Sequence, residues 1–163
     1  MIYIMSGIPG SGKSTYIEEH AADGSIVLSR DNYRTFIRQM LGSDKYFPIS
    51  ESGEREGWYT LISSTIRATH YLTDIWIDQT TITVQALKHL LYGVPISNDT
   101  PISIVHMNTP VAECIARNAQ RTGFDKVPNG VILRMNRQYN LSYAVLREKL
   151  PEYRSLVWLE ALE

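Results

Sequence analysis

The chain has 163 residues, of which 44% are hydrophobic and 20% are charged, and its formal net charge is −1. This is the composition of one ordinary globular domain with a proper core, which argues against a disordered chain and against a broad basic surface that coats nucleic acid. No apolar stretch approaches the length of a membrane span, and the single cysteine, Cys114, can form no internal disulfide. We therefore expect a cytoplasmic protein without membrane contact, which holds any polyanion through a few local contacts.

Short β-branched and aromatic runs alternate with longer segments of helical period along the chain. This pattern predicts one α/β domain over residues 1–163, with a five-stranded parallel sheet flanked by helices. The predicted strands are 2–5, 25–29, 74–78, 102–107 and, from a weaker pattern, 155–160. The predicted helices are 13–22, 31–41, 56–72, 83–92, 110–120 and 129–148. Residues 42–57 and 121–128 have no regular pattern.

The first predicted strand runs into GIPGSGKS, residues 7–14, which matches the phosphate-binding loop (Walker A) at every fixed position. Its glycines let backbone N–H groups turn inward at a helix N-terminus and line an anion site. Lys13 is expected to reach the β- and γ-phosphates of a nucleotide, and the Ser14 hydroxyl to be a ligand of Mg²⁺. The nucleotide-binding residues predicted here are Gly7, Pro9, Gly10, Ser11, Gly12, Lys13, Ser14 and Thr15.

The second predicted strand leads into LSRDNYRTFIR, where one carboxylate, Asp31, lies among Arg30, Arg34 and Arg38. On a helix, arginines at this spacing share one face, which forms either a solvated surface or a row that binds anions. Because Asp31 directly follows a strand, we expect it at the same sheet edge as the phosphate loop, where open α/β sheets bind ligands. That position favours the second interpretation. Asp31 would accept a proton from an attacking hydroxyl, Arg34 would clamp an anionic group of the acceptor, and Arg38 would assist.

Asp78 ends the apolar run DIWID and is either a capping residue or a carboxylate near Mg²⁺, acting through water. Thr80 is expected to line the same crevice.

Arg117 and Arg121 are spaced i, i+4 where the predicted helix 110–120 runs out into RTGFDK. They are either cations in a favourable position at a helix C-terminus or arginines of a mobile lid over the transferring phosphoryl group.

Four motifs together carry a family resemblance: GIPGSGKST, SRDNYR, the aspartate that ends the third strand, and RNAQRTG followed by KVP and VILRMNRQY. Over roughly residues 2–140 they resemble the kinase domain of phage-type 5′-hydroxyl polynucleotide kinases, which belong to the P-loop kinases. The resemblance implies a P-loop fold with an arginine-bearing lid and an ATP- and Mg²⁺-dependent transferase. Its acceptor would be the 5′ end of DNA or RNA, as in nucleic-acid repair. A phage-encoded chain would work in the host cytoplasm.

The resemblance also implies roles for individual residues. Lys13 and Ser14 would hold ATP and Mg²⁺, and Asp31 would be the general base for the acceptor hydroxyl. Arg34 would bind the acceptor's neighbouring phosphate, with Asp78 supporting that site. Arg117 and Arg121 would be lid arginines on the donor phosphates.

The sequence departs from the family pattern in ways that bear on the acceptor. Asn32 stands where a second acidic residue is common, and QTT follows Asp78 where a threonine–asparagine pair is usual. The phosphatase domain that is often fused to kinases of this family is not expected in this chain. The alternatives are a kinase of a hydroxymethylated DNA base, a small nucleoside or metabolite kinase, and a nucleotide-gated binding module that transfers nothing. The pairing of Asp31 with Arg34 argues against the last, because a switch needs no acceptor base.

Overall fold

The computed structural model describes residues 1–45, 49–69, 72–94, 96, 100–149 and 156–161. Five strands form one parallel sheet in the order β2-β3-β1-β4-β5. The strands are β1 (Ile2–Ser6), β2 (Ile26–Ser29), β3 (Ile75–Asp78), β4 (Ile102–Met107) and β5 (Leu156–Ala161). The helices are α1 (Lys13–His20), α2 (Arg30–Met40), α3 (Glu51–Thr69), α4 (Val84–Gly93), α5 (Val111–Ala119) and α6 (Asn129–Lys149), with a 3₁₀ turn at Gly123–Asp125. The predicted α/β fold is therefore confirmed, with its five parallel strands.

Both faces of the sheet are covered, which explains why its strands are nearly continuous apolar runs. In β1, Ile2 and Ile4 enter a core cluster with residues of α3 and α4, whereas Met5 enters a second cluster with Ile17 of α1. Successive strand residues point to opposite faces, so β1, β3 and β4 each supply both clusters. Because β1 is the central strand, the loop that follows it lies in the middle of the carboxyl edge. None of the helices in the described ranges is long and apolar enough to cross a membrane.

Helix α3 begins at Glu51, within the stretch that the sequence left without regular structure, so the predicted start at residue 56 is wrong. The Ser50 hydroxyl accepts a hydrogen bond from the Gly53 N–H at 3.1 Å and so satisfies a donor of the first turn. Two glycines in the first two turns hide the helical pattern. Gly57 is needed for packing, because a Cβ there would lie 2.1 Å from the Tyr33 hydroxyl of α2. The two helices therefore touch closely at this point.

The other differences lie at element ends. Helix α1 ends at His20, two residues before the prediction, and α3 ends at Thr69, whereas residues 70 and 71 of the predicted span lie outside the described residues. Helix α5 begins at Val111 after Pro110. The Thr109 hydroxyl donates to the Ser11 carbonyl at 2.8 Å and thereby ties the end of β4 to the phosphate loop.

Candidate active site

The loop after β1 has the backbone conformation that its glycines predict. Gly10 and Gly12 have φ angles of 84° and 89°, in the left-handed region that other residues rarely adopt. A Cβ on Gly10 would lie 2.4 Å from the Cys114 carbonyl oxygen, so α5 packs directly against the loop backbone. Cys114 itself is buried. These contacts fix the curvature that turns the loop amides inward at the start of α1.

Lys13 closes the phosphate loop from within. Its ammonium donates to the carbonyl oxygens of Gly7 at 3.1 Å and Ile8 at 3.0 Å. Burial lowers the pKa of Lys13, while the negative charges of Asp78 and Asp31 raise it and Arg121 lowers it further. A bound polyphosphate would favour the ammonium form, because negative charge stabilises a buried cation. Lys13 is therefore held at the loop, and the charges of both predicted carboxylates, Asp78 and Asp31, affect its pKa.

Ser14 and Asp78 meet at the end of β3. The Ser14 hydroxyl donates to Asp78 Oδ2 at 2.7 Å, although the two residues are 64 positions apart in the chain. A hydroxyl and a carboxylate are hard oxygen ligands of the kind that Mg²⁺ prefers. No group of three or more His, Cys, Asp or Glu residues that could hold a metal occurs among the described residues. The pair thus fits an ion that also takes ligands from phosphate and water.

A cleft of about 670 Å³ opens along the carboxyl edge of the sheet. From the phosphate loop its lining includes Pro9, Gly10, Gly12, Lys13, Ser14 and Thr15, whereas Gly7 and Ser11 lie behind it. Among the residues that the structure describes, seven basic side chains line the cleft against four acidic ones, although the chain as a whole is slightly acidic. The basic ones are Lys13, Arg30, Arg34, Arg38, Arg121, Lys126 and Arg134; the acidic ones are Asp31, Glu51, Asp78 and Asp125. Positive charge is therefore concentrated where anions would bind.

Across the cleft from Lys13, the first turn of α2 carries Asp31, whose side chain is 73% exposed. Ser29, the last residue of β2, caps the helix by accepting a hydrogen bond from the Asn32 N–H, so Asp31 is the second residue of α2 and lies at the carboxyl end of β2. Arg34 Nη1 donates to Asp31 Oδ1 at 3.1 Å. The carboxylate and the guanidinium that the sequence assigned to the acceptor are thus paired with each other. Arg30 and Arg38 line the same cleft, so the three arginines do share one face.

A glutamate that the sequence analysis did not select lies behind these arginines. Glu54 of α3 is 2% exposed and accepts from Arg30 Nε at 3.0 Å and Arg30 Nη2 at 2.8 Å. The same carboxylate accepts from Arg34 Nε at 3.1 Å. Burial alone raises the pKa of Glu54, but the hydrogen bonds and charge of Arg30, followed by those of Arg34, hold it below its usual value. Glu54 is therefore a buried anion shared by two cleft arginines.

Arg38 connects the α2 side of the cleft to the segment between α5 and α6, residues 120–128, which we call the lid segment. Its guanidinium carbon lies 4.3 Å from the ring centroid of Phe124, a cation–π contact. Its Nη2 donates to the Thr35 hydroxyl at 2.9 Å, and its Nη1 is buried without a hydrogen-bond partner among the described residues. An unpaired buried donor of this kind suits an anionic or carbonyl oxygen of a ligand.

Asn118 anchors the lid segment at its base. Its buried amide donates to the Val127 carbonyl at 2.7 Å and accepts from the Val127 N–H at 3.0 Å. This pair closes the segment into a short loop, on which Arg121 lines the cleft. Arg117 differs: it pairs with Glu113 on its own helix and does not line the cleft, although its Nη1 would lie 3.1 Å from a Cβ on Gly12. Of the two predicted lid arginines, only Arg121 belongs to the cleft wall.

The residues after β3 divide between support and lining. The Gln79 side chain is buried, accepts from the Trp58 indole N–H and donates to the Thr81 hydroxyl at 3.1 Å. Thr80 lines the cleft beside Asp78, as predicted. The side chain of Gln79 therefore fixes the end of β3 against α3, and Gln79 lines the cleft together with Asp78 and Thr80.

Comparison with known proteins agrees with this architecture. A family model described as an AAA domain matches residues 2–142. The chain belongs to this family. A chain in the structure of the Pnkp1/Rnl/Hen1 RNA repair complex is similar, with a TM-score of 0.70 and 22% identity over 88% of this chain. A second structure of the Pnkp1/Rnl/Hen1 complex has a TM-score of 0.56 and 26% identity over 71% of this chain. A deoxyadenosine kinase from M. mycoides has a TM-score of 0.58 and 15% identity over the whole chain.

The matched shares of these proteins differ. This chain spans 45% and 38% of the two repair-complex chains, but 92% of the deoxyadenosine kinase. At these identities the similarity establishes the fold, a parallel α/β sheet flanked by helices as in P-loop kinases.

The sequence analysis missed Glu54 and Phe124, and each left only a faint signal. Glu54 continues the four-residue spacing of Trp58, Ile62 and Ile66, the buried stripe of α3, so an acid at a core position was the available sign. Phe124 was hidden in an irregular segment, where an aromatic side chain has no periodicity to reveal its neighbours.

Proposed function

We propose that this chain is an ATP-dependent kinase that transfers the γ-phosphoryl group of ATP to the 5′-hydroxyl of DNA or RNA. One observation carries the proposal. The cleft that begins at the phosphate loop ends at an exposed carboxylate, Asp31, which is hydrogen-bonded to Arg34 at 3.1 Å. A nucleotide-hydrolysing switch requires the loop alone, whereas a kinase also requires a base and an anchor for its acceptor.

On the donor side, the loop amides and Lys13 would bind the phosphates of ATP. Ser14 and Asp78 would hold Mg²⁺, Asp78 through water, and the ion would neutralise charge on the phosphate oxygens. Arg121, which lines the cleft on the lid segment, would stabilise the charge that develops on the transferring group. Arg117, at the edge of the loop beside Gly12, would contact the donor phosphates after leaving Glu113.

On the acceptor side, Asp31 would accept the proton of the 5′-hydroxyl. The hydroxyl oxygen then forms a bond to the γ-phosphorus, the bond from that phosphorus to the β–γ bridging oxygen breaks, and ADP leaves. Arg34 would bind the phosphate on the 3′ side of the acceptor nucleoside, since a guanidinium matches two phosphate oxygens. Arg38, whose buried Nη1 has no hydrogen-bond partner in the described part of the chain, completes the proposed acceptor wall with Asp78 and Thr80.

Two further findings support a nucleic-acid acceptor. Basic residues are concentrated in the cleft of a protein whose net charge is −1. This distribution suits the binding of one end of a nucleic-acid strand through a few contacts. The similarity to a chain of an RNA repair complex agrees with the resemblance to 5′-hydroxyl polynucleotide kinases in the sequence motifs.

The direct test offers γ-labelled ATP and Mg²⁺ to a panel of acceptors: 5′-hydroxyl DNA and RNA oligomers, duplex DNA with hydroxymethylated bases, and free nucleosides. Label should enter the 5′-hydroxyl oligomers and be lost when the same oligomers already carry a 5′-phosphate. Label on the modified bases alone, or on free nucleosides alone, would replace the proposal by a base kinase or a nucleoside kinase. ATP hydrolysis with every acceptor unlabelled would favour a nucleotide-gated module.

A further inference from the structure

Glu54 takes no part in the reaction proposed above, yet it is bound to two of the arginines that line the cleft. A buried carboxylate is costly unless it is paired, and one bidentate arginine, here Arg30, already satisfies that need. Arg34 adds a third hydrogen bond through Nε and uses Nη1 for Asp31. Its guanidinium is therefore held by one carboxylate from the buried side and by another from the open side.

This arrangement fixes the orientation of the Arg34 plane. A guanidinium is rigid, so two hydrogen bonds to two different anions leave it little rotational freedom. Of the two carboxylates that bind Arg34, Glu54 is 2% exposed and Asp31 is 73% exposed, so the buried Glu54 is the firmer anchor. Without Glu54, Arg34 would keep its charge and its bond to Asp31 but lose the contact that sets its plane.

The backbone that carries Glu54 is itself held tightly. One turn further along α3, Gly57 lies so close to Tyr33 of α2 that a Cβ would overlap the tyrosine hydroxyl. Trp58 is fully buried and donates to the Gln79 side chain at the end of β3. The carboxylate thus projects from a helix fixed against both α2 and the sheet, the kind of support that positions a binding group within a fraction of an ångström.

We infer that Glu54 is a positioning residue of the acceptor site, which holds the Arg34 guanidinium in the plane that receives the acceptor's 3′-side phosphate and keeps Asp31 beside it. The inference rests on the proposed function and names a residue that acts through Arg34 without touching the acceptor. It predicts a defect that appears only with acceptors carrying that phosphate.

The experiment measures kcat/KM for a nucleoside and for its 3′-monophosphate, and uses their ratio as the phosphate preference. Glu54→Gln should lower this ratio about 10-fold, the scale of one charge-assisted hydrogen bond, and leave the KM for ATP unchanged. In an Arg34→Ala background the same substitution should change the ratio by about twofold or less, because contacting residues are not additive. Glu56→Gln, an exposed acid on the same helix, is the matched control and should leave the ratio unchanged.

Removing one partner of a buried pair can prevent folding, so a second variant keeps the test decisive. Arg30→Met combined with Glu54→Met replaces the pair by apolar side chains of similar size, an exchange that cores often tolerate. Because Arg34 keeps its bond to Asp31, the double variant should fold and show the same loss of phosphate preference.

Several results would overturn the inference. An unchanged ratio in either Glu54 variant, including a proportional loss of kcat/KM with both acceptors, would make Glu54 a structural residue. Full additivity with Arg34→Ala would show that Glu54 acts through another group. If wild-type protein phosphorylates neither acceptor nor any 5′-hydroxyl oligomer, the proposed function fails and the inference fails with it; wild-type transfer with an unchanged Glu54 ratio overturns the inference alone.

Discussion

Two halves of the cleft are built in different ways: the half around the phosphate loop, which we assign to the phosphoryl donor, and the half around Asp31 and Arg34, which we assign to the acceptor. In the donor half, Lys13 bonds to carbonyls five and six residues away, within one continuous loop. In the acceptor half, Glu54 bonds to Arg34 and Arg30 across 20 and 24 residues, between two helices. A local loop carries its chemistry in its own sequence, whereas the proposed acceptor site forms only when α3 packs against α2. Variants should therefore separate the two halves.

The largest effect should come from Lys13→Ala in the donor half. It removes the ammonium that, in the proposed reaction, stabilises the transferring phosphoryl group, so transfer should fall about 10³–10⁵-fold, the range for a cation in that role. Single-turnover transfer from labelled ATP measures the loss. Near-normal transfer in this variant would remove the phosphate loop from the chemistry and with it the distinction between the halves.

Asp31→Asn should impair phosphoryl transfer to the acceptor and leave ATP binding in the donor half intact. Without the base, transfer should fall about 10²–10⁴-fold, while the affinity for ATP stays close to that of the wild type. Nucleotide affinity by calorimetry and single-turnover transfer, measured on the same preparation, separate the two effects. If affinity for ATP collapses while transfer is nearly intact, Asp31 belongs to the donor half.

Arg121→Ala tests whether the lid segment belongs with the donor half. Its contact should strengthen as charge develops in the transition state, so kcat should fall about 10²-fold and exceed any rise in the KM for ATP. Steady-state kinetics with ATP as the varied substrate provide the measurement. A raised KM with unchanged kcat would make Arg121 a ground-state contact of ATP.

Asn118→Ala should have the smallest effect, because it alters the support of the lid segment and leaves every proposed contact in place. The Val127 N–H and carbonyl lose their buried partner, which should lower the free energy of unfolding by about 1–3 kcal/mol. Chemical denaturation measures this change. Exposed Gln120, two residues along, provides a control: Gln120→Ala should change stability by less than about 0.5 kcal/mol. Equal stability in both variants would mean that Asn118 does not anchor the segment.

The contrast between the halves also explains what the sequence revealed. The phosphate loop, Asp31 and Asp78 follow apolar strands of one parallel sheet, so their common edge could be predicted from strand periodicity alone. The start of α3 could not, because Gly53 and Gly57 weaken the helical pattern while Ser50 and the packing against Tyr33 supply the stability. Unless α3 is predicted to begin before Glu54, the sequence gives no indication that Glu54 binds Arg30 and Arg34.

The lid arginines show the same limit at shorter range. Arg117 and Arg121 look equivalent in the sequence, four residues apart. In the structure, however, α5 ends at Ala119, so Arg117 lies on the helix beside Glu113 and Arg121 follows its end. The predicted helix end at residue 120 is within one residue of the observed end. What the spacing of the two arginines does not reveal is that Arg117 pairs with Glu113 one turn earlier on α5, whereas Arg121 lines the cleft.

The central claim is that Arg34 binds the acceptor's 3′-side phosphate, next to the hydroxyl that receives the phosphoryl group. The most direct measurement compares kcat/KM for a nucleoside and its 3′-monophosphate in wild type and in Arg34→Ala. The account predicts a strong preference for the 3′-monophosphate in the wild type, and a loss of about 10–100-fold in that preference in Arg34→Ala, as a charge-assisted bidentate contact disappears. Equal use of both acceptors by the wild type, with no change in Arg34→Ala, would contradict it and leave a kinase of small hydroxyl compounds.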